Sequence, residues 1–229
     1  MIGLDIPRIR AICFDLDGTL ADTDDALATR LAVALRPLAF LFPSRNPRLI
    51  ARRMVMAAEG PGNALLAFAD RFGIDNLIAP FVDLLHWVRG EGRPRHFRLV
   101  GGTAPMLAAL GPRYPLAIVT TRDRRSTHAF LAKFRLDESF RCVATARTCP
   151  RTKPHPAPIH WAAAQMGVSP QACLMVGDTT VDVRAGKAAG AQVVGVLCGF
   201  GVRLELEKAG ADAILDRPAD LVGLLSPLS

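Results

Sequence analysis

Two aspartates, Asp15 and Asp17, lie two residues apart in the segment FDLDGTL, directly after the apolar run AICF. A carboxylate in such a place can act as a nucleophile, and a second one beside it can donate and accept protons. Both can serve one reaction only if the chain bends after the run, and Gly18 allows that bend without steric conflict. An ordinary turn is the alternative, yet two carboxylates at a buried strand end would repel each other.

Other apolar runs end in residues that could complete such a site. The run LAIV precedes Thr120 and Thr121, the run CLMVG precedes Asp178, and Asp182 follows four residues later. Lys153 lies between these segments, in the loop RTKPHP. If the runs are parallel strands, their carboxyl ends meet at one edge of the sheet. The sequence therefore predicts that carboxylates, a hydroxyl and a lysine converge at that edge.

This set of side chains suits phosphoryl transfer. An aspartate that attacks phosphorus forms an acyl-phosphate, which divides one difficult displacement into two easier ones. Because a phosphate ester and several carboxylates repel one another, a hard cation is needed, and oxygen ligands favour Mg²⁺. Lys153, the Thr120 hydroxyl and the backbone N–H groups after Asp15 could hold the remaining phosphoryl oxygens. Thr120 could equally be an ordinary strand-ending residue, and Lys153 a surface lysine in a proline-rich loop.

Short apolar runs alternate with helical patterns along most of the chain, which predicts a doubly wound parallel α/β sheet. The predicted strands are near-continuous apolar runs, as strands buried on both faces require. They are Ile9–Phe14, Leu116–Thr120, Cys142–Thr145, Cys173–Val176, Val193–Leu197 and Ala213–Leu215. The predicted helices between them are Ala104–Leu110, Thr127–Phe134, Pro158–Met166, Val181–Ala189 and Arg203–Ala209.

Residues 21–96 break this alternation, because they show helical periodicity and no convincing strand. We predict four helices there, at Asp22–Leu41, Leu49–Ala58, Ala64–Phe72 and Leu77–Val88. The predicted organisation is a core domain of residues 1–20 and 97–229, interrupted by a helical domain of residues 21–96. The arginines of the insertion could form a solvated face or reach an anionic group of a substrate, and both interpretations stay open.

The composition is that of a globular protein, with half of its 229 residues hydrophobic and 21% charged. A net charge of +7 permits a nucleic-acid partner, but the arginines are spread along the whole chain, so we expect none. The lack of an apolar run of about 18 residues predicts no membrane span. The N-terminus has no signal-peptide pattern, which predicts the cytoplasm. Five cysteines without zinc-site spacing predict reduced thiols and no structural metal.

Four segments of the chain resemble, in order, the four motifs of the haloacid dehalogenase-like hydrolase superfamily. They are Asp15-x-Asp17-Gly18-Thr19-Leu20, Thr120, Lys153-Pro154 and Gly177-Asp178-Thr179-x-x-Asp182. The segments GDTTVDVRAGKAAGA and GFGVRLELEKAGADAILDRPADL resemble the phosphoglycolate phosphatase-like branch. The helical insertion is similar to the small cap of that branch, which closes over the site and selects substrates. Thr121 departs from the pattern, since many relatives carry asparagine there.

The resemblance implies a role for each of these residues. It makes Asp15 the nucleophile and Asp17 the general acid and base. It implies a set of phosphate-binding residues, namely Gly18, Thr120, Thr121 and Lys153. It also implies a set of Mg²⁺ ligands, namely Asp15, the carbonyl of Asp17, Asp178 and, as a ligand or the neighbour of one, Asp182.

Asp17 favours a phosphatase over a dehalogenase, because an alkoxide leaving group needs a proton and a halide does not. We therefore expect Mg²⁺-dependent hydrolysis of a small, phosphoglycolate-like phosphorylated metabolite, by a monomer or a homodimer. A phosphoglucomutase-like phosphotransferase would use the same residues and stays an alternative. A non-catalytic binding module on the same fold is the second alternative, although it would have no need of the complete set of residues.

Overall fold

A computed structural model of the chain describes residues 3–22 and 97–226. The chain segments on either side of residues 24–96 belong to one compact unit. The four helices predicted between residues 22 and 88 fall outside the described residues, apart from Asp22 itself. The helical domain therefore stays a prediction of the sequence.

Within the described residues, six strands form one parallel sheet in the order β3-β2-β1-β4-β5-β6. The strands are β1 (Ala11–Phe14), β2 (Leu116–Val119), β3 (Cys142–Ala144), β4 (Cys173–Gly177), β5 (Gln192–Val196) and β6 (Ala213–Leu215). Cys13 of β1 is paired with Ala117 on one side and with Met175 on the other, so β1 is a central strand. The predicted parallel sheet is confirmed, with strand ends within two residues of those expected.

Helices cover both faces of this sheet. They are α1 (Thr103–Leu110), α2 (Arg124–Phe134), α3 (Ala157–Met166), α4 (Thr180–Ala188), α5 (Arg203–Ala209) and α6 (Leu221–Leu224). The buried hydrophobic side chains of α1, α2 and α6 belong to one apolar cluster, and those of α3, α4 and α5 belong to a second cluster. Helix α2 begins three residues before its predicted start, because the Asp123 carboxylate caps it by accepting from the Ser126 N–H at 3.0 Å.

The central strand shows why the predicted strands are apolar throughout. Ile12 and Phe14 of β1 contribute to the first cluster, whereas Ala11 and Cys13 contribute to the second. All four are fully buried, and burying a large side chain such as Phe14 stabilises a fold by about 1.5–3 kcal/mol. A strand packed on both faces cannot shift, so the residue that follows it, Asp15, has a fixed position.

The described part of the chain contains no helix of the length and apolar character needed to cross a bilayer. The five cysteines all lie in this part, and all are free thiols. Cys13 and Cys173 are fully buried in the sheet, where a thiol packs as a small apolar side chain. The expected reduced thiols agree with this arrangement.

Candidate active site

The carboxyl ends of three neighbouring strands carry the predicted site residues. Asp15 follows β1, Thr120 follows β2 and Asp178 follows β4. The Asp15 N–H still donates to the Val176 carbonyl at 2.8 Å, so the sheet holds the backbone of this aspartate. β2 lies on one side of β1 and β4 on the other, so the direction of the strand order reverses beside β1. Ligands of such sheets bind in the crevice outside this point.

Three aspartates and one lysine form a buried cluster in this crevice. Asp15, Asp178 and Asp182 each offer a carboxylate oxygen, and these oxygens lie within 4.8 Å of one another. The Lys153 Nζ donates to Oδ1 of Asp15 and to Oδ1 of Asp182, both at 2.6 Å. When all four groups are charged, three negative charges face one positive charge, and the difference equals the charge of one divalent cation. Oxygen donors in this number fit Mg²⁺.

Burial controls the protonation of this cluster. It raises the pKa of Asp15 to about 8, against the opposing effect of the Lys153 ammonium, and the Asp182 carboxylate adds to the rise. Burial lowers the pKa of Lys153, but Asp15 and Asp182 outweigh it and raise the pKa above its ordinary value. The lysine therefore stays protonated, and a proton on Asp15 relieves the excess negative charge where no cation does so.

The Asp178 carboxylate is fully buried and held from several directions. Its Oδ2 accepts from the Phe200 N–H at 2.6 Å, and its Oδ1 lies 3.5 Å from the Thr19 hydroxyl, which donates to it. Gly18 and Gly199 lie against the same carboxylate so closely that a Cβ on either would collide with it. Gly18 also has a φ of +75°, a conformation that favours glycine. The Asp178 carboxylate can thus keep its orientation only because Gly18 and Gly199 have no side chains.

We expect the substitution Gly199→Ala to weaken Mg²⁺ binding by about tenfold to a hundredfold, as loss of a ligand's support does in metal sites. The added methyl group would push the Asp178 carboxylate out of its place. Isothermal titration calorimetry with Mg²⁺ measures the change. Gly101→Ala is the matched control, since a Cβ there meets no atom within 4 Å. Equal Mg²⁺ affinities in the two variants would contradict the role given to Gly199.

Asp182 has both carboxylate oxygens engaged. Its Oδ2 accepts from the N–H and the hydroxyl of Thr179, at 3.0 and 2.7 Å, and its Oδ1 accepts from Lys153. The bond from the Thr179 N–H and the reciprocal bond from the Asp182 N–H to the Thr179 hydroxyl, at 3.4 Å, form the capping box at the start of α4. In this arrangement Asp182 orients the lysine, while its role as a Mg²⁺ ligand stays a prediction.

Asp17 lies at the edge of the cluster and pairs with Arg122, a residue that the sequence did not single out. The Arg122 Nε donates to Oδ2 of Asp17 at 3.0 Å, and its Nη2 donates to Oδ1. The sequence contains one signal that could have identified Arg122, namely its position two residues after Thr120 at the end of a predicted strand.

Phe200 and Thr19 were also not predicted as site residues. The backbone N–H of Phe200 leaves no mark in the sequence, and Thr19 lies within the first motif without an assigned role.

The predicted phosphate-binding residues differ in the hydrogen bonds that they make in the structure. The Thr120 hydroxyl accepts from the Arg122 N–H at 3.1 Å, so its own proton can be donated to another group. The Gly18 N–H donates to the Ala21 carbonyl at 2.9 Å, so here it is engaged within its own loop. Thr121 is half-buried beside Thr120. The phosphate-binding roles of all these residues, like that of Lys153, stay predictions.

Comparison with known proteins gives consistent matches along the chain. A family model described as haloacid dehalogenase-like hydrolase matches residues 12–196. The pyrophosphatase PpaX of Anoxybacillus flavithermus is 32% identical over 223 residues, which cover 97% of this chain and 99% of that protein. A phosphoglycolate phosphatase of Haemophilus influenzae is 29% identical over 231 residues, covering 95% and 99%.

Solved structures agree with these matches. A haloacid dehalogenase family hydrolase from Deinococcus radiodurans, solved with bound phosphate and sodium, has a TM-score of 0.69 and 26% identity, covering 96% of this chain and 99% of that one. The matched residues 12–196 include all four motifs, from Asp15 to Asp182. The chain therefore belongs to the haloacid dehalogenase-like hydrolase family, and it is a hydrolase of the phosphatase type.

Proposed function

We propose that this chain is a Mg²⁺-dependent phosphatase that hydrolyses a small phosphorylated metabolite through an aspartyl-phosphate formed on Asp15. One observation carries the proposal: Asp15 lies in a buried cluster with Asp178, Asp182 and Lys153 at the carboxyl ends of the strands. A buried excess of negative charge of this kind is unfavourable without a cation. We infer that Mg²⁺ is held by Asp15, Asp178 and the carbonyl of Asp17, and that it neutralises charge on the incoming phosphate.

In the first half of the reaction, Asp15 attacks phosphorus. Lys153 holds Oδ1 of Asp15, so Oδ2 is the oxygen that attacks. A bond forms between Oδ2 and phosphorus, and the bond between phosphorus and the leaving oxygen breaks. Asp17 gives its proton to the leaving oxygen, which departs as a neutral hydroxyl. The Lys153 ammonium and the Thr120 hydroxyl stabilise the negative charge of the phosphoryl oxygens.

In the second half, water hydrolyses the aspartyl-phosphate. Asp17, now ionised, accepts a proton from a water molecule, and the water oxygen forms a bond to phosphorus. The bond between phosphorus and Asp15 breaks, which returns the carboxylate and releases inorganic phosphate. Arg122 donates to both oxygens of Asp17 in the structure. It therefore holds the carboxyl in place while a remaining lone pair of Asp17 exchanges the proton with the substrate.

The relatives indicate the kind of substrate. One is a pyrophosphatase and another a phosphoglycolate phosphatase, so we propose a small phosphorylated compound of this type, with phosphoglycolate as the first candidate. The expected cytoplasmic location and the expected monomer or homodimer stay predictions.

The test is release of inorganic phosphate by the purified chain from p-nitrophenyl phosphate, phosphoglycolate and a hexose phosphate. We expect release with Mg²⁺ and its loss on adding EDTA, with recovery when Mg²⁺ is restored. Release that is indifferent to EDTA, or none from any of the compounds, would contradict the proposal. A phosphotransferase would instead convert the hexose phosphate into an isomer with little free phosphate.

A further inference from the structure

Arg122 is the feature that the proposed reaction leaves partly unused. It follows β2, whereas Asp17 follows β1, so the ion pair joins the ends of two neighbouring strands. The two bonds use Nε and Nη2, one edge of the guanidinium, and only 14% of the Arg122 side chain is exposed. A planar guanidinium that donates two hydrogen bonds to one carboxylate has a defined orientation.

The surroundings of Arg122 fix it independently of Asp17. Its backbone N–H donates to the Thr120 hydroxyl, and its carbonyl accepts from the Ala146 N–H at 3.0 Å. The guanidinium carbon lies 5.2 Å from the centre of the Phe97 ring, which packs edge-on against Phe130 of α2 at 5.6 Å. A guanidinium held by an aromatic ring and an ion pair is already oriented, so it loses little further freedom when it binds a ligand.

The third nitrogen of Arg122 has no partner in the described part of the chain. Nη1 is buried, and no acceptor lies within hydrogen-bond distance of it among those residues. A buried donor on a charged group is unfavourable when it is left unpaired, and such groups in native proteins are rare. Nη1 lies on the edge of the guanidinium that Asp17 does not occupy. It is therefore a donor suited to an acceptor that arrives with a ligand.

The position of this donor defines which part of the substrate it meets. Asp17 protonates the leaving oxygen, so the guanidinium bound to Asp17 lies on the leaving-group side of the site. We infer that Arg122 binds an anionic group of the leaving group, a carboxylate or a phosphate next to the scissile oxygen. This inference rests on the proposed function and narrows its substrate class to phosphate esters or anhydrides with charged leaving groups. The anion of the leaving group accepts from Nη1, on the edge of the guanidinium that Asp17 does not occupy.

The test compares 2-phosphoglycolate with 2-hydroxyethyl phosphate, which replaces the carboxylate with a neutral hydroxymethyl group. We expect the wild type to prefer phosphoglycolate in kcat/KM by roughly tenfold to a hundredfold, the range of a charged hydrogen bond. Arg122→Gln should lower kcat/KM for phosphoglycolate by that factor more than for hydroxyethyl phosphate. Arg122→Lys, which keeps the positive charge but lacks the planar guanidinium, should retain part of the preference for phosphoglycolate. Arg124→Gln, an exposed arginine of the same charge, should leave it unchanged.

The outcomes separate the two proposals. If Arg122→Gln slows both substrates by the same factor, Arg122 only positions Asp17 and the inference is overturned. A wild type that hydrolyses both compounds equally well overturns it too, while the proposed phosphatase stands. A wild type that releases phosphate from neither compound, nor from p-nitrophenyl phosphate, overturns the proposed function and this inference together. Thermal unfolding of each variant shows that a lost preference does not come from a lost fold.

Discussion

The variant Asp15→Asn is expected to lose phosphate release almost completely, with kcat lower by roughly 10³-fold or more, as for the loss of other nucleophiles. An amide is a poor nucleophile towards phosphorus, and it cannot form the aspartyl-phosphate on which the reaction depends. Asparagine has the size of aspartate, so it can occupy the same buried place. Steady-state phosphate release, with acid-quench trapping of the protein-bound phosphate, measures both turnover and the intermediate.

Folding and charge are controlled separately in this experiment. Because burial raises the pKa of Asp15 to about 8, ionising this carboxyl in the folded state is unfavourable. The Tm of Asp15→Asn should therefore equal or exceed that of the wild type. Asp123→Asn removes one negative charge from an exposed helix cap, where asparagine caps as well as aspartate does, and should change kcat less than about twofold. More than a tenth of wild-type turnover in Asp15→Asn would refute the assigned nucleophile.

The second large effect concerns the variant Lys153→Met, which we expect to lose both activity and stability. Lys153 joins Asp15 and Asp182 through bonds of 2.6 Å, and its side chain is 2% exposed. Removing one partner of a buried ion pair costs about 3–5 kcal/mol, because the remaining charges lose their compensation. Urea unfolding at pH 8 measures this free energy. The matched control is Lys187→Met, whose ion pair with Asp212 is on the surface, and we expect it to cost less than about 1 kcal/mol.

The loss of stability in Lys153→Met should depend on pH. Burial already raises the pKa of Asp15 above its ordinary value of 3.8, and removing the lysine takes away the main effect that lowers it. A carboxyl with a raised pKa in the folded state binds its proton more tightly there than in the unfolded chain. The contribution of this carboxyl to the free energy of unfolding is therefore complete below pH 3.8. It is lost as the pH rises through the pKa that the group has in the folded protein. The variant should be closer to wild-type stability at pH 5 than at pH 8, and the opposite order would contradict the buried ion pair.

The sequence predicts the strands well because of where they lie. Phe14 and Val176 pack into one apolar cluster, and their neighbours Cys13 and Met175 pack into the other. Every position of β1 and β4 must therefore be apolar, and a run of apolar residues is easy to recognise. Helix α6 was missed, since four residues are too few to show a helical period. The ends of the strands were then enough to place Asp15, Thr120 and Asp178 at one edge.

The parts of the site that escaped prediction depend on contacts between distant segments. Arg122 reaches Asp17 only because β1 and β2 are neighbours in register, and no pattern within the loop TTRDRR shows that pairing. The Phe200 N–H that holds Asp178 belongs to the backbone, so any residue type except proline could supply it. Asp182 has the type expected of a metal ligand, and only the coordinates show its bonds to Thr179 and Lys153.

The central place of β1 has a consequence for the synthesis of the protein. Ala11 pairs with Cys173 in β4, so about 160 residues separate the two halves of this contact along the chain. At 5–20 residues per second, a ribosome needs roughly 8 to 30 seconds to make that length. During this time the edge of the strand AICF that later faces β4 has no partner in the nascent chain, so it is open to aggregation or to a chaperone. The nucleophile is thus made about 160 residues before the strand that completes its site.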